Sequence, residues 1–155
     1  MGCMKSSVEV DTHNMLANPR FEDSYARLFG PNVSIDESSD AFFVEFYNQF
    51  LASPEIARRF ANTDMARQIA MLKRSLFQLT SYYVTSSPSA ELKRLAEFHR
   101  DLNITVEMFD AWLEALIQTV DAMDEEADEA TLLAWAWALT PGITYMRIAL
   151  TGDSR

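Results

Sequence analysis

Apolar residues recur at helical spacing along almost the whole chain after residue 20, and this periodicity constrains the fold more than any other feature. No stretch of useful length alternates apolar and polar residues, and no Asn-Gly or Asp-Gly pair marks a hairpin. Glycine and proline, which interrupt regular structure, number only 4 and 5 among 155 residues. The sequence therefore predicts an all-α domain without a sheet.

Start and stop signals divide the first half of the periodic region into helical segments. A short helix is predicted over 21–29 and should end at Gly30-Pro31. The run SSDAFFVEFYNQFLA follows, with aromatic residues at helical spacing. Ser53-Pro54 is typical of an N-cap followed by a first-turn proline, and it opens a brief helix that ends at Phe60. A long helix is predicted from about Asp64.

The second half contains three further helical segments. Ser87-Pro88 repeats the combination of cap and proline, and Thr105 is predicted to cap the next helix. The last helix should begin near Asp128, and Pro141 predicts a kink or a break within it because proline lacks a backbone donor. The two tryptophans of WAW, together with Met71, are interpreted as core packing.

Two polar residues interrupt otherwise apolar helical stripes, and each needs a partner or a ligand. Gln68 falls on the stripe of the long helix. His99 follows Leu92, Leu95 and Ala96 at the spacing i, i+3, i+4, i+7. Because an unpartnered buried polar group costs about 1–3 kcal/mol, His99 is either a satisfied core histidine or a metal ligand. Gln68 is correspondingly either a boundary residue or part of a ligand pocket.

The charge balance narrows the possible partners. With 23 acidic and 13 basic residues the net charge is −10 at pH 7, so we expect neither nucleic acid nor membrane as a partner. The acidic run at 121–130 is interpreted as a solvated loop and helix start, since it lacks the spacing of a calcium loop. The N-terminal residues contain no apolar h-region, so we expect no secretory signal, and the single cysteine cannot form an internal disulfide. These features predict a cytoplasmic protein.

Three runs carry a family resemblance: FYNQFLASPEIARRFANTDMARQ, LAEFHRDLNI and FDAWLEALI. In the first run Tyr47 precedes Pro54, which opens a short helix that Phe60 closes, and Gln68 follows. His99 lies in the second run. In this order the residues resemble the globin family, in particular its bacterial single-domain branch and the haem domain of flavohaemoglobins. The resemblance implies the globin fold, with about seven helices around a haem pocket.

The resemblance covers residues 20–150, which we expect to form one globin domain between an irregular extension, 1–19, and a tail, 151–155. It implies haem b (iron protoporphyrin IX) as the cofactor and His99 as the proximal iron ligand. Tyr47 and Gln68 would form a distal polar pair over the open iron site. The remaining haem contacts that the resemblance implies are apolar: Phe60 against the porphyrin edge, Leu72 against bound gas, and Phe46, Leu95 and Phe109 around the pocket.

The function implied by the resemblance is reversible binding of dioxygen at a pentacoordinate ferrous haem, with nitric oxide and carbon monoxide as further gas ligands. It extends to oxidation of nitric oxide to nitrate, for which we expect an external reductase because the sequence shows no flavin domain. The alternative is a globin-fold sensor or interaction module, with or without haem, that acts through a partner protein. Either could be a monomer or a homodimer.

The proximal side departs from the flavohaemoglobin pattern at two positions. Phe109 stands where that pattern has a tyrosine, and the residues near Leu150 include no glutamate. We therefore expect the ring of His99 to donate to a backbone carbonyl one turn earlier, at Leu95 or Ala96. Such an imidazole pushes less electron density into iron, which favours gas binding over peroxidase-like chemistry.

Overall fold

The computed structural model describes residues 18–30, Ile35 and residues 38–151. These residues form seven α-helices and no strand, which confirms the predicted all-α class. The extension before residue 18 and the tail after residue 151 lie outside the described residues. The helices are α1 Pro19–Phe29, α2 Ala41–Phe50, α3 Pro54–Arg59, α4 Met65–Thr85, α5 Ala90–Asp101, α6 Val106–Met123 and α7 Glu129–Thr151.

Polar side chains fix where several helices begin, because they accept hydrogen bonds from first-turn amides that have no partner within the helix. Asp64 caps α4, and Thr105 caps α6 as predicted. The prediction that Ser87-Pro88 opens α5 was wrong. The hydroxyl of Ser89 accepts from the amide of Leu92 at 3.0 Å, so the helix begins at Ala90 and leaves the proline outside.

Helix α7 crosses the whole molecule, and its inner face packs against α1, α4, α5 and α6. It continues through Pro141, so the predicted break does not occur. Contacts with four helices compensate for the one backbone hydrogen bond that the proline removes. The next residue, Gly142, marks the closest approach to α4. A Cβ at this position would lie 2.5 Å from Cδ2 and 3.2 Å from Cα of Leu79.

Aromatic rings fill the core between α1, α2, α6 and α7. The ring of Trp135 is fully buried and lies edge-on to Phe21, with 4.7 Å between the centroids. Phe46 of α2 makes a similar contact with Trp112 of α6 at 5.7 Å. Trp137, by contrast, is 72% exposed, so its interpretation as core packing was wrong. Helix α7 turns Trp135 inward and leaves Trp137 on the opposite face, since residues two apart in a helix do not share a face.

A buried lysine attaches the start of α2 to α4. The ammonium group of Lys73 forms an ion pair with Asp40 at 2.5 Å and donates to the carbonyl of Ser38 at 2.8 Å. It also lies over the ring of Phe43, 5.5 Å from the centroid. These contacts hold α2 beside α4 and thereby determine how close their side chains come to one another.

The acidic run between α6 and α7 is not uniformly solvated. Asp124 is buried, and its carboxylate accepts from Arg27 at 2.8 and 2.9 Å and from the hydroxyl of Ser24 at 2.6 Å. Ser24 in turn accepts from the indole of Trp135 at 2.8 Å. The interpretation of the whole run as a solvated segment was therefore wrong at this one position, because α1 supplies partners from far away in sequence. None of the described helices has the length and hydropathy that crossing a lipid bilayer requires.

Candidate functional site: a cavity between α4 and α5

A cavity of about 710 Å³ lies between α4 and α5 and extends to α2, α6 and α7. This volume falls within the range of about 300–1,000 Å³ that is usual for ligand pockets. Most of the side chains around it are apolar. Its polar or charged members are Tyr47, Arg59, Thr63, Asp64, Arg67, Gln68, Ser75 and His99. The structure therefore brings Tyr47, Gln68 and His99 into one cavity from three different helices.

His99 lies in the last turns of α5 and has one ring nitrogen already engaged. Its Nδ1 is 2.8 Å from the carbonyl of Leu95, one of the two carbonyls expected from the sequence. Because that oxygen only accepts, Nδ1 must carry the proton, which leaves the lone pair of Nε2 free. Burial lowers the pKa of the imidazole, and the bond to Leu95 opposes this only in part. A neutral ring with a free Nε2 is the form that binds metal ions.

Tyr47 of α2 and Gln68 of α4 place two polar side chains next to each other at the cavity. Burial raises the pKa of the Tyr47 phenol to about 12, and a hydrogen bond with the side chain of Gln68 acts in the opposite direction. The phenol therefore keeps its proton at neutral pH and remains a donor. The amide group of Gln68 adds further donors beside it. Together they can stabilise a ligand that carries partial negative charge.

The predicted apolar contacts fall on the cavity wall in every case but one. Phe60, Leu72, Leu95 and Phe109 line the cavity, and the ring of Phe109 lies 6.1 Å from the ring of His99, centroid to centroid. Phe46 does not line it. Its ring is fully buried one layer further back, where it contacts Tyr47 at 5.1 Å, Phe50 at 5.3 Å and Trp112 at 5.7 Å. Phe46 is thus the one expected haem contact that does not line the cavity, whereas its neighbour Tyr47 does.

Two arginines at the cavity were missed by the sequence analysis. Arg59 and Arg67 are both exposed and both line the cavity. The guanidinium group of Arg59 donates to the carbonyls of Leu102 and Asn103 at 3.2 and 3.4 Å, which connects α3 to the corner after α5. Their placement depends on how α3 and α4 meet, and no local pattern in the sequence indicates it. Met71, interpreted as packing, also lines the cavity.

Comparison with known proteins identifies the class of this fold. The chain is similar to a solved protein from Pseudomonas aeruginosa PAO1 that is described as structurally highly homologous to a human hemoglobin. The two chains are 33% identical, with a TM-score of 0.71, and the alignment covers 84% of this chain and 95% of the other. No family model and no curated protein matches the chain.

The fold is thus that of haemoglobin: seven described helices around a cavity that contains a histidine. The identity and coverage show, more specifically, that this chain belongs to the globin family, as its sequence motifs indicated. The haemoglobin-like fold suggests a haem cofactor and is consistent with the binding of gas ligands.

Proposed function

We propose that this protein is a haem-binding globin that binds dioxygen reversibly and oxidises nitric oxide to nitrate when an external reductase supplies electrons. The observation that carries the proposal is the state of His99. Its Nδ1 is committed to the carbonyl of Leu95 at 2.8 Å, its ring is neutral, and Nε2 is free in a cavity of about 710 Å³. These are the requirements for an axial imidazole ligand of haem iron.

The residues around the cavity fit haem b. The apolar side chains of Phe60, Leu72 and Leu95 match the face and edge of a flat macrocycle and exclude water from it. Arg59 and Arg67 at the cavity have no carboxylate partner within the described chain, and they would pair with the acidic side chains of haem. His99 would hold the iron through Nε2.

When bound, ferrous haem supplies an open iron coordination position for a diatomic gas. The protein's own contribution lies in Tyr47 and Gln68. Tyr47 remains protonated because its pKa is about 12, so it donates a hydrogen bond rather than presenting a negative charge. Gln68 positions the phenol and adds an amide donor. A charge-assisted bond from these donors favours a ligand with anionic character, such as dioxygen, over the less polar carbon monoxide.

Oxidation of nitric oxide consumes one electron for each nitrate formed, so sustained turnover needs a reductant. We propose a separate reductase as its source. In this scheme the distal donors retain dioxygen long enough for nitric oxide to reach it, and the apolar wall at Leu72 limits the access of water.

The test is haem reconstitution of the full chain. The wild-type protein should give a Soret band at one equivalent of haem. His99→Ala should weaken or shift that band, and added imidazole should restore it by replacing the missing ring. His13→Ala, which changes the other histidine, is the matched control and should leave the spectrum unchanged.

Two results would count against the proposal. If His99→Ala bound haem with the wild-type spectrum, His99 would not be the iron ligand. If the wild-type protein gave no Soret band, the alternative of a haem-free interaction module would replace the proposed gas-binding function.

A further inference from the structure

Trp112 of α6 lines the cavity, and its place on the helix shows which way its ring faces. Met108 and Leu116, one turn before and one turn after it on the same side of the helix, are buried in the core. Trp112 lies between them, in the centre of that inner side, yet it is only half-buried. Its accessible surface therefore opens on the cavity that it lines and not on the outside of the molecule.

The indole N–H of Trp112 has no acceptor within the described residues. The fully buried Trp135 shows the usual arrangement, because its indole donates to the hydroxyl of Ser24 at 2.8 Å. Trp112 makes no such bond to a described residue, although no buried side-chain nitrogen or oxygen among them lacks a partner. Its Nε1 is therefore not a buried atom. It is an accessible donor, and the accessible side of the ring is the side that faces the cavity.

Ring contacts place Trp112 at the part of the cavity wall that also carries Tyr47. The ring of Phe46 lies 5.1 Å from the ring of Tyr47 and 5.7 Å from that of Trp112, centroid to centroid, so one ring supports both. Phe109, which lies 6.1 Å from the ring of His99, precedes Trp112 by one turn of α6. Along α6 the cavity wall thus leads from the His99 side at Phe109 to the Tyr47 side at Trp112.

We propose that Trp112 is a specificity-determining residue whose indole N–H donates a hydrogen bond to a small ligand held in the cavity beside Tyr47. The inference rests on the proposed haem-binding function, in which His99 holds the iron to which such a ligand binds. An indole N–H donates and cannot accept. Together with the Tyr47 phenol and the Gln68 amide, it selects ligands that carry negative charge at their free end, such as dioxygen, and small anions.

The acidic side chains of haem are less suitable acceptors for this indole. Arg59 and Arg67 line the cavity from α3 and α4 and offer those carboxylates charge-assisted bonds, which are stronger than a bond from a neutral N–H. The indole of Trp112 therefore remains available to the smaller ligand.

The experiment compares two probes on the haem-loaded full chain: fluoride bound to ferric haem, a strong acceptor, and carbon monoxide bound to ferrous haem, a weak one. Trp112→Phe removes the N–H and keeps an aromatic ring against Phe46. It should weaken fluoride binding about tenfold or more and leave the affinity for carbon monoxide nearly unchanged. Trp112→Leu should weaken fluoride binding to a similar extent. Trp137→Phe, which changes a tryptophan that is 72% exposed and outside the cavity, is the matched control.

An infrared spectrum of the carbon monoxide complex measures the same hydrogen bond without an affinity. A bond donated to the oxygen of carbon monoxide weakens the C–O bond and lowers its stretching frequency. The C–O stretch should therefore shift to higher frequency in Trp112→Phe and in Trp112→Leu, and it should stay in place in Trp137→Phe.

The proposal is overturned if both Trp112 variants bind fluoride like the wild-type protein and leave the C–O stretch in place, a result that would leave haem binding through His99 intact. It is also overturned if only Trp112→Leu weakens fluoride binding, or if the affinities for both probes fall together, because the indole would then act through its volume. Loss of haem by both variants would assign Trp112 to packing. A wild-type protein without a Soret band would overturn this proposal and the proposed function together.

Discussion

Burial keeps both His99 and Tyr47 neutral, which leaves His99 with a free lone pair and Tyr47 with a proton to donate. The lowered pKa of His99, with Nδ1 bonded to Leu95, leaves an unprotonated Nε2 in the cavity. The raised pKa of Tyr47, about 12, preserves a phenol proton in the same cavity. One low-dielectric environment thus provides a lone pair on one side and a hydrogen-bond donor on the other.

The first prediction concerns the distal donor. Tyr47→Phe removes only the hydroxyl, so the dissociation of dioxygen from haem-loaded protein should accelerate about ten- to a hundredfold, the equivalent of ~1.5–3 kcal/mol for a charge-assisted hydrogen bond. Stopped-flow displacement by carbon monoxide measures this rate. Tyr145→Phe, which lies against Tyr82 outside the cavity, should have no effect. An unchanged rate in both Tyr47→Phe and the double variant with Gln68→Leu would exclude the pair from ligand binding.

The second prediction concerns the proximal bond. His99 donates to a neutral carbonyl and has Phe109 beside its ring, so no contact recorded within the described residues gives the imidazole anionic character. In the deoxy ferrous protein, the iron–histidine stretch in resonance Raman spectra should lie in the oxygen-carrier range, below that of flavohaemoglobin-type and peroxidase pockets. Peroxide turnover should be correspondingly slow.

The nearby carboxylates provide the control for that spectrum. Glu97 and Asp101 lie on the same helix and are exposed. Glu97→Gln and Asp101→Asn should leave the stretch unchanged. A shift in either variant would reveal a carboxylate that polarises the ring, in place of the Leu95 carbonyl.

At the scale of helices, the contact between α4 and α7 depends on the absence of a side chain at Gly142. Gly142→Ala should destabilise the protein by about 1–2 kcal/mol, because a clash with Leu79 outweighs the ~0.5–1 kcal/mol that alanine gains in a helix. Urea denaturation measures the free energy of unfolding. Thr144→Ala, at an exposed site on the same helix, should show no such loss. Equal or greater stability in Gly142→Ala would mean that the two helices separate easily.

Asp124 joins α1 to the segment between α6 and α7, and its protonation state makes this junction dependent on pH. Hydrogen bonding to the Arg27 guanidinium lowers the pKa of the carboxyl below its unfolded value of about 3.9, and the Ser24 hydroxyl contributes in the same direction. A depressed folded pKa adds stability that is present above that unfolded value. This stability is lost as the pH falls through the folded pKa.

Asp124→Asn should therefore lower the free energy of unfolding at pH 7 by about 2–3 kcal/mol, since a neutral amide cannot replace a buried, hydrogen-bonded carboxylate. The difference from wild type should shrink as the pH falls below about 4, because Asp124 is then protonated first in the unfolded chain and, at a lower pH, in the folded protein as well. Urea titrations from pH 7 to pH 3 follow this change. Asp121→Asn, an exposed acid on α6, is the control. A difference that stays constant with pH would show that the charge of Asp124 is unimportant.

At the scale of the whole molecule, a ligand held in the cavity should stabilise the fold. A ligand that binds only the folded state raises the free energy of unfolding, by about 4 kcal/mol when free ligand is at a thousand times its dissociation constant. Haem should therefore raise the urea midpoint of the wild-type protein strongly. The gain should be much smaller in His99→Ala and should be retained in His13→Ala. A gain equal in all three would indicate nonspecific association of haem with apolar surface.

The sequence by itself determined the features that depend on residues close together in the chain: the fold class, the helix starts and the family motif. Helical periodicity, with start and stop signals, was enough for the all-α class and for seven segments. The predicted cap Thr105 marked the start of one helix, and the predicted start near Asp64 lay within a residue of another. The ordered motif around Tyr47, Pro54, Phe60, Gln68 and His99 was enough for the family. The bond from His99 to the carbonyl of Leu95 could also be expected, since the two residues are one helical turn apart.

Only the tertiary structure decided which neighbour covers each helix face. Periodicity shows which residues share a side, but not what lies opposite. Phe46 therefore proved to lie behind Tyr47 rather than at the cavity, and Asp124 proved to be buried by α1. For the same reason the sequence did not indicate that Arg59 and Arg67 line the cavity. Nor did it indicate that Trp137 lies on the surface while Trp135 lies in the core. Each of these outcomes depends on contacts between helices distant in sequence, which no local pattern encodes.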